Sequence, residues 1–300
     1  MLVSLGWTLL ALGAAGAGAV FAAYPALLRV VDALRGGAGA RGESRRDGVG
    51  DASPGGVGSV SVVVAMRNAE ALVERKLASL RAQQGLDVPL EIVLASDGSD
   101  DATPERIRAE EVRADDVRCV VLDEHRGKHV ALNAAVEAAR GDVLVFSDAD
   151  AELDPRAVAR LVDGFGAPDL GGVCGRRIIG ELDAFDGDAQ SDYVALDSGL
   201  KALESRVGSV TSNDGKLFAI RRELYEPVPE GVTDDLFTAM SVVRQGKRFI
   251  YDGGARASIR VPSRSAGHEL RRRRRIVCRS LRGIWLQRAV LDPRRTGLYA

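Results

Sequence analysis

The chain has 300 residues, 46 % of them hydrophobic and 28 % charged, with a formal net charge of -1, so it can bury one good core or two modest ones. Three scattered cysteines, Cys119, Cys174 and Cys278, have no CxxC spacing and exclude a disulfide framework and a zinc finger. His125 and His129 stand at i, i+4 without a third metal ligand nearby, and His268 lies far from both.

From Leu2 to Leu28 no residue is charged, which as a helix rising about 1.5 Å per residue is enough to cross a hydrocarbon core of roughly 30 Å. The start, Met1-Leu2-Val3-Ser4, lacks the basic region of a cleaved signal peptide. Residues 1–35 therefore read as a single-pass transmembrane anchor. Arg29, Arg35, Arg41, Arg45 and Arg46 follow it, which places the rest of the chain on the cytoplasmic side of the cell (inner) membrane. Residues 36–58 are Gly-rich, carry no run of large apolar side chains and read as a flexible linker.

A globular domain, residues 59–265, begins at Ser59 with the β-branched run Val60 to Val64. Further short apolar runs at Leu90 to Ala95, Val117 to Leu122 and Asp142 to Ser147 read as strands buried on both faces. Helical stretches lie between them: Ala69 to Gln84; Thr103 to Val112, with Thr103 as N-cap; and Lys128 to Ala139. The alternation is that of an α/β sheet with right-handed crossovers. After a helix opened by Asp154-Pro155, strands are expected at Val173 to Ile179, Lys216 to Ile220 and Phe249 to Tyr251, and helices near Asp188 to Arg206 and Asp234 to Gln245. Residues 266–300 form a basic, amphipathic end. From Arg256 onward there are 13 arginines against two acids, and within Arg271 to Arg288 the apolar Ile276, Val277, Leu281, Ile284 and Trp285 are interleaved with them. That pattern suits an anionic membrane face better than nucleic acid.

In open α/β sheets ligands sit at the carboxyl ends of the strands. There the first strand ends in Met66-Arg67-Asn68, the second in Ser96-Asp97-Gly98-Ser99-Asp100-Asp101, and the fourth in Ser147-Asp148-Ala149-Asp150. Asp148 and Asp150, at i, i+2 where a strand runs out, can share one hard cation while leaving positions for phosphate oxygens. Gly127-Lys128 puts a lysine at a helix start, where ammonium and helix N-terminus together favour a phosphate. The chain has only five lysines against 36 arginines, so a lysine at that position is informative. Thr233-Asp234-Asp235 heads another helix, where first-turn acids are ordinary and one of them could also take a proton from a hydroxyl.

In order and spacing these pieces resemble the family 2 inverting glycosyltransferases, the group that includes cellulose, chitin and hyaluronan synthases. The resemblance spans about Ser59 to Ile276 and rests on Ser61 to Asn68, Ser96 to Asp101, Gly127-Lys128 with Ala131-Leu132-Asn133, Asp148-Ala149-Asp150, Phe218 to Arg222, Thr233-Asp234-Asp235 and Arg272 to Ile276. It implies a GT-A-like, Rossmann-type α/β fold and a membrane-anchored, metal-dependent transfer of a sugar from a nucleotide-diphosphate sugar, by resemblance a UDP-sugar, to a glycan or lipid-linked hydroxyl acceptor, with inversion. It also implies roles. Ala65, Arg67, Asn68 and Asp97 would contact the nucleoside, and Lys128 the base or diphosphate. Asp148 would face the nucleotide and, with Asp150, hold Mg²⁺ or Mn²⁺. Asp234 would lie with the substrate-binding residues, Asp235 would be the general base, and Arg272 and Arg275 would bind the departing diphosphate.

Three positions depart from the family pattern: Asp234 stands for Glu, Ile276 for Trp, and Ser212-Asn213-Asp214-Gly215 occupies the place of a Gly-rich acceptor loop. A nucleotidyltransferase of similar fold would need a Gly-rich phosphate loop after the first strand, and Met66 to Glu70 offers none. A dinucleotide-dependent dehydrogenase fails likewise, because Gly55-Gly56-Val57-Gly58 precedes the strand. The remaining alternative is a non-catalytic nucleotide-sugar-binding membrane protein.

Overall fold

The computed structural model describes residues 16, 18–35, 56–179, 187–259, 266–292 and 296. Strands β1 (Val60–Met66), β2 (Leu90–Asp97), β3 (Val117–Leu122) and β4 (Val143–Ser147) alternate with helices α2 (Glu70–Arg81), α3 (Thr103–Arg113) and α4 (Lys128–Ala138). They pair in parallel in the order β3-β2-β1-β4, as the βαβ pattern predicts. Val60, Val62, Val63 and Val64 are fully buried because the sheet is covered on both faces. At about 1.5–3 kcal/mol per buried Val, this strand is a main source of stability.

Beyond β4 the sheet changes character. The three-residue strand β5 (Ala151–Leu153), absent from the sequence reading, crosses to the far edge. The chain continues through α5 (Ala157–Asp163), β6 (Leu170–Ile179), α6 (Gly187–Val207), β7 (Leu217–Arg221), α7 (Asp234–Arg244), β8 (Arg248–Ile259) and α8 (Ala266–Leu286). The eight strands order as β3-β2-β1-β4-β7-β6-β8-β5, with β7 antiparallel to both β4 and β6, and β5 antiparallel to β8. The antiparallel register Ser147↔Leu217 is decisive, because it carries the loop before β7 alongside the end of β4. At the other end of β7, Arg221 ties the strand to its second neighbour, donating from Nε to the Leu170 carbonyl (2.9 Å) and from Nη2 to the Phe165 carbonyl (3.1 Å).

The predicted N-cap of α3 shifts: Ala102 occupies it, and Asp101 serves the helix start by accepting the Thr103 N–H at 3.0 Å. Thr103 is turned inward, where its hydroxyl accepts the Ala69 N–H at 2.8 Å and ties α2 to α3.

Most of the predicted anchor, residues 1–15 and 17, lies outside the described residues, as do residues 36–55 of the predicted linker. Among the described residues no helix is long and apolar enough to cross a membrane. What is described is a π-helical turn, Ala19–Ala23, running into α1 (Tyr24–Leu34). That helix docks on α6: Leu28 and Val31 pack with Val207, flanked by Tyr24, Leu200 and Leu203. Tyr24 Oη donates to Glu204 (2.9 Å) and Arg206 pairs with Asp32 (3.0 Å). The linker also ends earlier than expected, since Val57 is buried in the core and the Gly58 N–H donates to Asp142 (2.9 Å). The C-terminal segment is only partly a free surface. Gly283, Gln287 and Val290 face inward, whereas Val277, Leu281 and Trp285 are exposed.

Candidate active site

The carboxyl ends of β1, β2 and β4, with the start of α4, enclose an open cleft of about 340 Å³. Ala65, Arg67, Asn68, Asp97, Lys128, Asp148 and Asp150, all singled out in the sequence, line it together with Lys216.

One end of the cleft is shaped by two locked turns. Asn68 holds a left-handed conformation (φ 47°), its amide N–H donating to Ser99 Oγ (3.1 Å) and its Oδ1 accepting the Asp100 N–H (2.9 Å). Asn is one of the few non-glycine residues that adopts this region readily. Asp97 is buried and fully engaged: it accepts the N–H of Arg126 (2.9 Å) and of Gly127 (3.0 Å) and pairs with His125 Nδ1 (2.8 Å). Its carboxylate therefore sets the path of residues 125–127 and, through Gly127, the start of α4 from which Lys128 projects. Gly98 (φ 52°) allows this, since a Cβ there would stand 2.1 Å from the His125 nitrogen.

At the centre, carboxylates and ammonium groups alternate. Lys128 Nζ bridges Asp148 Oδ1 (2.8 Å) and Asp234 Oδ2 (2.7 Å). Lys216 Nζ bridges Asp148 Oδ2 (2.8 Å) and both oxygens of Asp150 (2.9 and 3.2 Å). Burial works against charge at all three of Asp148, Lys128 and Lys216, but the opposite charges prevail. Lys128 and Lys216 hold the Asp148 carboxyl well below the usual range, and the acids hold both ammonium groups above theirs. Beneath them Lys76, 1 % exposed, donates to Ser147 Oγ and the Ala151 carbonyl, each at 2.7 Å. Burial pushes Lys76 down to about 7, against the pull of Asp148 and Asp150.

Asp148 and Asp150 thus converge on one cationic point, the Lys216 ammonium, and these two carboxylates are the donors that could hold Mg²⁺ or Mn²⁺. Among the described residues no group of three or more acids, histidines or cysteines is placed to hold a metal ion. The remaining positions would fall to phosphate oxygens and water, the usual arrangement for Mg²⁺.

Asp234 and Asp235 open α7 as predicted. Their approach loop is held by Asn133, whose Nδ2 donates to the Val228 carbonyl (3.0 Å) and whose Oδ1 accepts the Val228 N–H (2.9 Å) and the Tyr225 hydroxyl (2.6 Å). Asp235 lies against Gly215, where a Cβ would come within 2.9 Å of Oδ2. Burial, then the neighbouring Asp234 charge, pushes its carboxyl up to about 7 despite the N–H of Leu236 at 2.7 Å. Gly215 and Lys216 thus touch the two acidic centres from consecutive residues. Arg272 and Arg275 lie on α8 and are not among the residues lining the cleft. The helix nonetheless borders the α7 entrance, with Ser280 Oγ 3.5 Å from Thr233 Oγ1.

Lys76 and Lys216, which the sequence placed only within a helix and at a strand start, were not among its candidate site residues. The lysine scarcity that marked Lys128 applies equally to them, and was the available signal.

A parallel β3-β2-β1-β4 core joined to antiparallel β7, with an Asp-x-Asp pair at the end of β4 and a second acidic pair heading a helix beside it, defines a GT-A-type glycosyltransferase fold. Residues 61–228 match the family model described as glycosyl transferase family 2, and the chain belongs to that family. An uncharacterized glycosyltransferase of Nostoc sp. is 30 % identical over 177 residues, covering 56 % of this chain and 52 % of that protein. The undecaprenyl-phosphate 4-deoxy-4-formamido-L-arabinose transferase of Aeromonas hydrophila is 36 % identical over 106 residues, covering 35 % and 32 %. The chain thus spans a third to a half of the length of these curated relatives. A solved mannosyltransferase of Pyrobaculum calidifontis, in complex with GDP-Man and Mn²⁺, superposes with a TM-score of 0.62 at 28 % identity, over 85 % of this chain and 72 % of that one. The S. aureus protein TarS, residues 1–349 with UDP-GlcNAc, superposes with a TM-score of 0.53 at 16 % identity over 69 % and 60 %, a likeness of fold alone.

Proposed function

We propose that the chain transfers a sugar from a nucleotide-diphosphate sugar to a hydroxyl acceptor with inversion, on the cytoplasmic face of a membrane. The observation that carries this reading is the convergence of Asp148 and Asp150 on one cationic point in the cleft, one loop away from Asp235. A divalent ion on that pair would supply charge stabilisation for the departing diphosphate. Ala65, Arg67, Asn68 and Asp97 form the nucleoside side, Asp97 by positioning the 125–127 turn. Lys128 lies within reach of phosphate and couples the donor side to Asp234. Asp235, raised to about 7 and shielded, is suited to take the acceptor's proton near neutral pH. Arg272 and Arg275 would add positive charge for the leaving diphosphate once α8 approaches the cleft.

The Pyrobaculum mannosyltransferase supports a divalent ion and admits a GDP-sugar beside the UDP-sugar that the motifs imply. A second reading, transfer onto a lipid phosphate, is favoured by the undecaprenyl-phosphate transferase relative. A phosphate oxygen needs no base, so on that reading Asp235→Asn keeps its turnover.

Screening the purified chain against GDP- and UDP-sugars with Mg²⁺ and Mn²⁺, by thermal shift and nucleotide release, tests the proposal. One donor should raise the melting temperature and be turned over, with the release abolished by a chelator. No shift and no release with any donor would sink it.

A further inference from the structure

Three of only five lysines in a chain of 36 arginines gather around Asp148 and its neighbours. Their environments differ. Lys76 is sealed beneath the sheet end, and Lys128 is shared with Asp234. Lys216 alone spans Asp148 and Asp150, and it faces the open cleft. Its backbone is secured independently of its side chain, the carbonyl accepting Ser147 Oγ at 3.0 Å and the following residue entering β7. The four-carbon stem can therefore swing while the strand stays in place, as a compact charge on a flexible arm allows.

A divalent ion and this ammonium cannot share the pair. The ion requires the carboxylate oxygens at roughly 2.0–2.6 Å, and the ammonium already contacts both oxygens of Asp150 and one of Asp148, with like charge. We propose that Lys216 is a tethered counter-ion: it neutralises the Asp148–Asp150 pair until a divalent ion enters, and on displacement its ammonium binds an oxygen of the donor's diphosphate. This rests on Asp148 and Asp150 being the metal ligands. It makes metal and nucleotide binding mutually reinforcing through one side chain, because entry of the metal frees the group that receives the phosphate, and such coupling is reciprocal.

The test is titration calorimetry on the full chain, with Mn²⁺ alone and then with GDP and UDP at saturating Mn²⁺, for wild type, Lys216→Met and Lys216→Arg. Lys216→Met should bind Mn²⁺ about tenfold tighter, within the usual 5- to 150-fold span of coupling, and bind the nucleotide more weakly once the metal is present. Lys216→Arg, which keeps the charge, should bind Mn²⁺ much as wild type does. A merely structural lysine would weaken both ligands together. Lys216→Gln replaces the methionine variant if the latter does not melt cooperatively. Mn²⁺ affinity unchanged in the uncharged variant, with binding still lost in Asp150→Asn, overturns the role of Lys216 alone. No Mn²⁺ binding in either wild type or the uncharged variant overturns that role together with the metal site.

Discussion

Asp235 sits in an environment at odds with what its sequence position implies. A first-turn aspartate normally gains from the helix dipole, yet burial and the adjacent Asp234 outweigh this and lift its carboxyl to about 7. An acid raised in this way contributes stability that is whole below the ordinary carboxylate pKa and is lost as pH rises through about 7. Asp235→Asn should therefore melt higher than wild type at pH 8 and no differently at pH 4, as scanning calorimetry would read. Because a base must be ionised, kcat/KM for a hydroxyl acceptor should climb with pH through about 7, and the same variant should lose about 10²–10⁴-fold in turnover while still binding donor. Equal melting curves at pH 8 would contradict the burial argument. Asp148, Asp150, Lys128 and Asp235 were legible because each sits at a strand end or helix start within a spaced motif. Lys216 and Lys76 were not, since they meet Asp148 and Ser147 only through tertiary packing.

Among the elements, the turn after β2 has the tightest constraints. Gly98 combines a positive φ with contact against the 124–125 backbone, and that contact lets Asp97 reach the N–H groups ahead of α4. Gly98→Ala should cost more than about 1 kcal/mol and weaken nucleotide binding with it, read from denaturant midpoints and from GDP or UDP titrations. A shift in stability with binding untouched would separate the turn from the position of Lys128. The parallel half of the sheet was readable from continuous β-branched runs, which a strand buried on both faces requires. The antiparallel half was not. β5 is three residues long, and the ordering of β7 between β4 and β6 depends on pairing that local pattern does not encode. Asn133, noted only as part of a motif, owes its place to the loop it grips at Val228.

Over the whole molecule, charge is distributed unevenly in a way that the net value of -1 conceals. Arg274 and Arg275 are exposed on α8 beside Ile276, Val277, Leu281 and Trp285, and α1 leaves Leu27, Val30 and Leu34 uncovered. The full chain should co-float with anionic vesicles more strongly than with neutral ones, and less so as salt is raised. Replacing Arg274 and Arg275 by Gln should weaken this by about 1 kcal/mol per charge. Equal flotation on neutral and anionic vesicles would argue against an electrostatic contribution. The docking of α1 on α6 has a further consequence for the span between Arg35 and Gly56. On one side of that span Leu28 and Val31 of α1 pack against Val207, and on the other Val57 is buried in the core. Leu28, Val31 and the Asp32–Arg206 pair thereby set how α1 sits against the body that carries the cleft, much as a bracket sets the position of a shelf.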